Sequence, residues 1–356
     1  MYGVCGDSAR NVSAAVALII QTPEQNKYAR FLEEIKMSKT IGVLTSGGDA
    51  PGMNAAIRAV TRSAIRKGFR VIGIERGYNG LLNGDMHELK RNDVSDIMHR
   101  GGTILYTARC LEFKDDVGVE KGRQRCVEAG LDGIVVIGGD GSFRGAADLS
   151  RKGIPCVGLP GTIDNDISCT EYTIGYDTAM NTAMEMVDKI RDTAQSHDRC
   201  SVVEVMGRNA GWIALNTGIA CGATAVITTE VPYNLNEIST KMLESQKTGK
   251  QHFIIMVSEG IGNSVEIAKE IEKETGIESR ATILGHVQRG GNPTLRDRVI
   301  ATKMGCYAVD LLAEGKGNRV VGLQSGKIVD FDILEALKMK KPFDMNSYNM
   351  LQEISI

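Results

Sequence analysis

No GxxxxGK[ST] phosphate loop occurs in this chain, and its eight cysteines include no CxxC pair. The first absence removes the commonest nucleotide-binding loop from consideration. The second argues against a zinc site or a disulfide framework and fits a reducing cytoplasm. No apolar run reaches the length needed to cross a bilayer, so no membrane partner is expected. Charge of one sign is lacking too. The net charge of −2 gives no electrostatic reason to expect nucleic acid or an acidic membrane surface. Basic chemistry must therefore come from local arginine clusters.

What is present is an ordinary globular balance, with 42% hydrophobic and 24% charged residues in 356, long enough for two domains. Glycine is abundant at 41 residues, much of it in turns that follow apolar runs. Those runs are Ile41-Thr45, Val71-Ile74, Ile134-Ile137, Cys156-Leu159, Ser201-Val205, Ala225-Thr228, Phe253-Val257 and Arg319-Gly322. They are rich in Val and Ile and apolar on both faces, which predicts parallel strands covered by helices. Between two of them, Met180, Ala183, Met184, Val187 and Ile190 recur at helical spacing over 176–196 and read as core. The fold class expected is α/β, with two doubly wound, mostly parallel sheets in α/β/α layers.

Two strand ends carry the strongest chemistry. Val135-Val136-Ile137-Gly138-Gly139-Asp140-Gly141-Ser142 is followed about twenty residues later by Pro160-Gly161-Thr162-Ile163-Asp164-Asn165-Asp166. Ligands of open α/β sheets bind outside the carboxyl ends of the strands. Glycine amides can cradle phosphate there, while neighbouring aspartates repel one another unless cations intervene. Asp140 inside the first turn makes sense as a Mg²⁺ anchor, since Mg²⁺ takes one or two protein carboxylates plus phosphates. Pro, Gly, Asn and Asp are also plain turn formers, the bland reading of the second turn. Thr45-Ser46-Gly47-Gly48-Asp49-Ala50-Pro51-Gly52 joins the first strand to a helix. It is either a further anion site or an ordinary βα turn.

Arginines form a third set: Arg199, Met206-Gly207-Arg208, Arg280 and His286-Val287-Gln288-Arg289. Each lies near a strand end or a glycine-bearing loop, and guanidinium forks match phosphate oxygens. Arg58 and Arg62, four apart on the first helix, share one face and by spacing alone read as a solvated stripe.

Together the segments IGVLTSGGDAPGMNAAIR, VVIGGDGS, GLPGTIDNDI, SVVEVMGR, ATILGH and QRGGNP resemble the ATP-dependent 6-phosphofructokinase family, close to the bacterial tetrameric enzymes, from about Lys39 to about Pro342. The resemblance implies transfer of the γ-phosphoryl group of ATP to the 1-hydroxyl of fructose 6-phosphate. It implies Asp164 as general base, Thr162 beside the transferred group, Asp140 holding Mg²⁺, and Asp166 in the outer sphere. Gly48, Arg109, Cys110 and Gly139 to Ser142 match the ATP site. Thr162, Ile163, Asp164, Met206, Gly207, Arg208, Glu259, His286, Val287, Gln288 and Arg289 match the sugar-phosphate site, while Arg199 and Arg280 match residues lent by a neighbouring subunit. A homotetramer with shared sites follows.

Arg58, Arg62, Arg91, Arg191, Lys250 and His252 match the family's effector pocket, which takes ADP or GDP and phosphoenolpyruvate. Thr224 and Thr248 depart from it, standing where an acidic residue and a lysine occur. Pyrophosphate-dependent relatives carry Asp at the position of Gly141 and Lys at that of Gly161, so both glycines favour ATP. The rivals are a pyrophosphate-dependent enzyme, another GGDG kinase such as an NAD kinase, and an inactive nucleotide-sensing subunit.

The family pattern divides the chain into an ATP-binding domain of 37–174 plus 287–337 and a sugar-phosphate domain of 175–286 plus 338–356. Residues 1–36 stand apart. Asp7 precedes the short apolar run Ala14-Ile20 and no clear cleavage site follows it, so a leader outside the core is expected rather than a signal peptide.

Overall fold

The computed structural model describes residues 39–355; the expectation for residues 1–36 lies outside them. The chain runs β1 (Thr40–Ser46), α1 (Met53–Arg66), β2 (Arg70–Ile74), α2 (Tyr78–Asn83), β3 (Met86–Glu88), α3 (Asp116–Glu128), β4 (Gly133–Gly138), α4 (Asp140–Arg151) and β5 (Cys156–Pro160). It continues through α5 (Tyr176–Ser196), β6 (Cys200–Val205), α6 (Trp212–Ala220), β7 (Ala225–Ile227), α7 (Leu235–Lys247), β8 (Phe253–Ser258), α8 (Ser264–Thr275) and β9 (Ser279–Ile283). It closes with α9 (Leu295–Ala313), β10 (Arg319–Gln324), β11 (Lys327–Asp332), α10 (Ile333–Ala336) and α11 (Met345–Ile354).

The described residues form two sheets, one of seven strands in the order β11-β10-β5-β4-β1-β2-β3 and one of four in the order β7-β8-β6-β9. Strands β1, β4 and β5 are buried along their whole length. That is why they read as continuous apolar runs, with helices covering both faces. They pair in parallel, as do β1 with β2, β5 with β10, and every pair of the smaller sheet. Among the described residues only the edges β3 and β11 are antiparallel. All eight expected runs form strands; β3, β9 and β11 were not expected.

The chain leaves β1 toward β2 on one side and β4 toward β5 on the other. The ends of β1 and β4 therefore flank a switch point, where a crevice opens. In the smaller sheet, β6 and β8 are neighbours whose connections leave in opposite directions. Helix α5 carries the chain from one sheet to the other. Its Ala183 and Val187 are fully buried, with Met180, Met184 and Ile190 packed against the same core.

Buried Asp297 ties the start of α5 to the start of α9, accepting from Gly175 N (2.8 Å), Thr178 N (2.9 Å) and Thr178 Oγ1 (2.5 Å). Burial pushes its carboxyl up to about 6, against those hydrogen bonds. A carboxylate at a helix N-terminus also meets the favourable end of the helix dipole.

Candidate active site

One cavity of about 640 Å³ opens at the carboxyl ends of β1, β4 and β5. Its lining includes Gly48, Arg109, Cys110, Gly139, Asp140, Gly141, Ser142, Thr162, Asp164, Asp166, Arg208 and Arg289. Sequence-remote turns meet there because parallel strands place successive loops at one edge. The turn after β4 runs straight into α4, so the helix N-terminus faces the cavity. Ser142 locks this turn: its Oγ donates to Ser46 O at 3.0 Å, and its carbonyl accepts from Tyr78 Oη at 2.6 Å. The segment bearing Arg109 and Cys110 is tied to the end of β1, with Thr107 Oγ1 donating to Gly47 O at 2.9 Å and Thr45 Oγ1 to Tyr106 O at 2.6 Å.

Asp164 is buried, and its backbone N donates to Thr162 Oγ1 at 3.2 Å. Its Oδ2 lies 3.2 Å from Arg208 Nε. Its Oδ1 is buried and has no hydrogen-bond partner among the described residues. An orphaned carboxylate oxygen at a cavity wall is expensive unless a donor arrives from outside the chain. Burial and the Asp166 carboxylate push Asp164 above the usual carboxylate range, while Arg208 and Arg289 pull it back. Burial likewise raises Asp140, opposed by Arg144 and Arg208; it raises Asp166, aided by Asp140 and opposed by Arg208 and Lys341.

Arg208 comes from the other sheet. It follows β6 at positive φ of 53°. Glu259, after the neighbouring β8, fixes the turn by accepting from Gly207 N (3.1 Å) and Arg208 N (2.6 Å). Arg289 donates from Nη1 to Asp49 O at 3.0 Å. A Cβ on Gly48 would sit 2.6 Å from that same Nη1, so a larger residue there would push the Arg289 guanidinium from this position.

A sequence model described as phosphofructokinase matches residues 40–312. The chain belongs to the phosphofructokinase family. It is 56% identical over 318 residues to an ATP-dependent 6-phosphofructokinase of Bacillus pumilus (strain SAFR-032), covering 89% of this chain and 100% of the relative. It is 55% identical over 317 residues to one of Clostridium botulinum (strain Hall), covering 89% and 99%. Among solved structures, a phosphofructokinase of Saccharomyces cerevisiae superposes with a TM-score of 0.81 at 36% identity, over 90% of this chain and 48% of the yeast chain. The chain thus spans about half the length of that yeast relative.

Not every expected site residue of this chain reaches the cavity. Ile163 is fully buried in the core, so only its backbone can face a ligand. Gln288 is fully buried as well, and its Oε1 accepts from Met206 N at 2.8 Å. Its Oε1 positions the β6 turn, while its Nε2 is buried without a hydrogen-bond partner among the described residues. His286 and Val287 are exposed beside it. Arg199 and Arg280 both pair with Glu278, each at 2.8 Å, and neither lines the cavity.

The six expected effector cations fall into two groups. Arg62 donates to Ser95 Oγ at 3.2 Å and is lowered by burial, then by Arg58 and Arg91. Arg191 donates to Cys221 O; it lowers Lys250 and His252, for both of which burial is the larger cause. Thr224, read as a departure from the family's acidic residue, is buried, and its hydroxyl accepts from Lys250 Nζ at 3.4 Å.

The two glycines expected to select the donor differ. A Cβ on Gly141 would meet nothing within 4 Å, so this position is open toward the cavity. A Cβ on Gly161 would lie 3.0 Å from Ile137 Cγ2 and 3.1 Å from Met53 Cε. Core packing, not only ligand space, explains the second glycine.

Several lining residues carry no sequence signal of their own. Tyr78 and Phe113 stack at 4.1 Å and form an apolar wall; Arg144 and Asp148 line the same side. The spacing of Tyr78 from the GGDG turn does not announce that they meet.

Among the described residues no cluster of three or more histidine, cysteine, aspartate or glutamate side chains is arranged to hold a metal alone. Asp140 and Asp166 are nevertheless two desolvated carboxylates on one cavity wall. That donor set fits Mg²⁺, which completes its octahedron with phosphate oxygens and water. No helix among the described residues is long and apolar enough to cross a membrane.

Proposed function

We propose that the chain transfers the γ-phosphoryl group of ATP to the 1-hydroxyl of fructose 6-phosphate, giving fructose 1,6-bisphosphate and ADP, the committed step of glycolysis in the cytoplasm. The observation that carries this reading is Asp164: buried, paired through Oδ2 with Arg208, and unpartnered at Oδ1 among the described residues. A carboxylate so placed takes the hydroxyl proton at Oδ1 while Arg208 holds the other oxygen still. Raised by burial and restrained by two arginines, it is more basic than an ordinary carboxylate.

The nucleotide lies on the glycine turn and the N-terminus of α4, with Gly48, Gly139, Gly141, Ser142 and Cys110 as the wall. Transfer of a phosphoryl group needs positioning and charge stabilisation more than covalent chemistry. Arg109 and Thr162 supply these at the transferred group. Asp140 would hold Mg²⁺, with Asp166 behind it, and would thereby supply charge neutralisation for the phosphoryl group in transfer. Met206, Gly207, Arg208, Glu259, His286 and Arg289 take the sugar phosphate, with Val287 and Gln288 supporting that wall.

Arg199 and Arg280 act from a neighbouring subunit of a homotetramer, consistent with their lying off the chain's own cavity. We assign an ATP domain to 37–174 and 287–337 and a sugar-phosphate domain to 175–286 and 338–356, a division supported by the larger sheet falling in the first and the smaller in the second. The two cation groups form the effector pocket for ADP or GDP and phosphoenolpyruvate, weakened by Thr224 and Thr248.

The test is a coupled assay of fructose 1,6-bisphosphate formation with ATP or pyrophosphate as donor. Turnover with ATP alone supports the reading. Turnover with pyrophosphate overturns the donor assignment, and nucleotide binding without turnover points to a sensing subunit.

A further inference from the structure

Lys341 lies beyond the span matched by the family model, in the segment between α10 and α11. Its ammonium nevertheless reaches the back of the loop that carries Asp164. Nζ donates to Asn165 O at 2.9 Å and to Glu171 O at 3.3 Å. It also sits over the Trp212 ring, 5.2 Å from the centroid. Asp166, Cys169 and Glu171 surround it, and burial pulls the ammonium down to about 8. An ion is seldom taken that far out of water without a geometric return.

The loop gives the reason. Asn165 is 3% exposed and stands at φ 52°, a left-handed conformation uncommon outside glycine. It is braced from within: Asn165 Oδ1 accepts from Thr173 N at 3.2 Å, and Thr173 Oγ1 donates to Thr162 O at 2.6 Å. These bonds hold the side chain of Asn165 and the start of the loop. The carbonyl of Asn165 belongs to the peptide joining it to Asp166, and Lys341 holds that oxygen. Rotation of this peptide would swing Asp164 and Asp166 on either side of it. The lysine is itself anchored. Phe343 packs on Trp212 (5.7 Å) and Tyr348 (6.1 Å), Asp344 caps α11, and Leu351 is buried.

We propose that Lys341 is a positioning residue for phosphoryl transfer: its ammonium clamps the Asn165–Asp166 peptide and so holds the Asp164 carboxylate in register with Arg208. This rests on Asp164 being the base. The clamp acts on the loop of β5, which carries the base and only the outer-sphere Asp166, and not on the glycine turn of β4, so its loss falls chiefly on turnover.

The test is a double-mutant cycle on the full chain, with Lys341→Met, Lys341→Arg, Asp164→Asn and Lys341→Met/Asp164→Asn assayed for kcat and both KM values. Misplacing a reacting group by a fraction of an ångström to 1 Å costs on the order of 10- to 100-fold in rate. Lys341→Met should lose about that in kcat, with the KM for ATP nearly unchanged. Lys341→Arg, which keeps charge and donors, should recover much of the loss. In the Asp164→Asn background the Lys341→Met change should cost almost nothing, because its effect runs through Asp164.

Unchanged kcat in Lys341→Met overturns the proposal. So does a double variant whose loss is the product of the two single losses, which is the mark of an independent structural role. Full turnover in Asp164→Asn would overturn the base assignment itself, whereas loss there beside an unaffected Lys341→Met overturns only the clamp. Lys341→Gln, keeping amide donors without charge, carries the same cycle if the Met variant does not fold.

Discussion

Arg208 Nε and Asp164 Oδ2 lie 3.2 Å apart, yet the two residues follow strands of different sheets. Asp164 leaves β5 of the larger sheet, and Arg208 leaves β6 of the smaller. The pair closes the candidate site across the two halves of the fold. Arg208 is among the groups that hold the Asp164 carboxyl down against burial. Removing it leaves that carboxylate with less to oppose desolvation, so its pKa rises. The base is active above its pKa, so Arg208→Met should move the acidic limb of the kcat/KM profile to higher pH. The plateau should fall by on the order of 10²-fold. A pH–rate profile of both proteins checks this; an unmoved limb contradicts it.

Gly141 is open where a Cβ would be added. Gly141→Asp therefore folds without strain, and an acidic residue in the first turn of α4 suits the helix dipole. Its carboxylate would face phosphate of a bound nucleotide. The expected result is a fall of about tenfold or more in kcat/KM for ATP, from like-charge repulsion in a partly buried site, with an unchanged or higher melting temperature. Undiminished ATP use would show that the donor is not selected here.

Arg280 pairs with Glu278 and does not line its own chain's cavity. If a neighbour uses it, Arg280→Ala and Asp164→Asn should each be nearly inactive alone. Mixed oligomers formed by dissociating and reassociating the two should regain activity, because some sites then draw both intact residues from different chains. No recovery in confirmed mixed oligomers would place each site within one subunit.

The effector reading predicts a weak response. Thr224 spends its hydroxyl on Lys250, and Thr248 is exposed and uncharged where a lysine is expected. At subsaturating fructose 6-phosphate, phosphoenolpyruvate and ADP should shift the rate only modestly. Thr248→Lys should tighten the phosphoenolpyruvate response by a few-fold, the ~1 kcal/mol or less of an exposed cation. A strong response in the parent protein would remove the role given to both departures.

The buried parallel strands were legible because burial on both faces leaves a continuous Val and Ile run. The edges were not: β11 (KIVDFD) is only partly buried, β3 is three residues long, and β9 carries Arg280 on a sheet edge. Aspartates and glycines of the site were legible because turn chemistry at a strand end is local. Residues that reach the site through tertiary packing left no such trace. Tyr78 meets Ser142 only because α2 packs beside α4, and Lys341 meets Asn165 across 176 positions. Ile163 lay inside a motif read as binding, yet alternation along that turn sends its side chain into the core.

The central claim is that Asp164 takes the proton from the sugar hydroxyl, and the most direct measurement is the steady-state rate of Asp164→Asn against the parent with ATP and fructose 6-phosphate. Asparagine keeps the shape and the contact with Thr162 but cannot accept the proton. The account predicts a fall in kcat of about 10²- to 10⁴-fold with the KM for ATP nearly unchanged. A variant that keeps its kcat would contradict it.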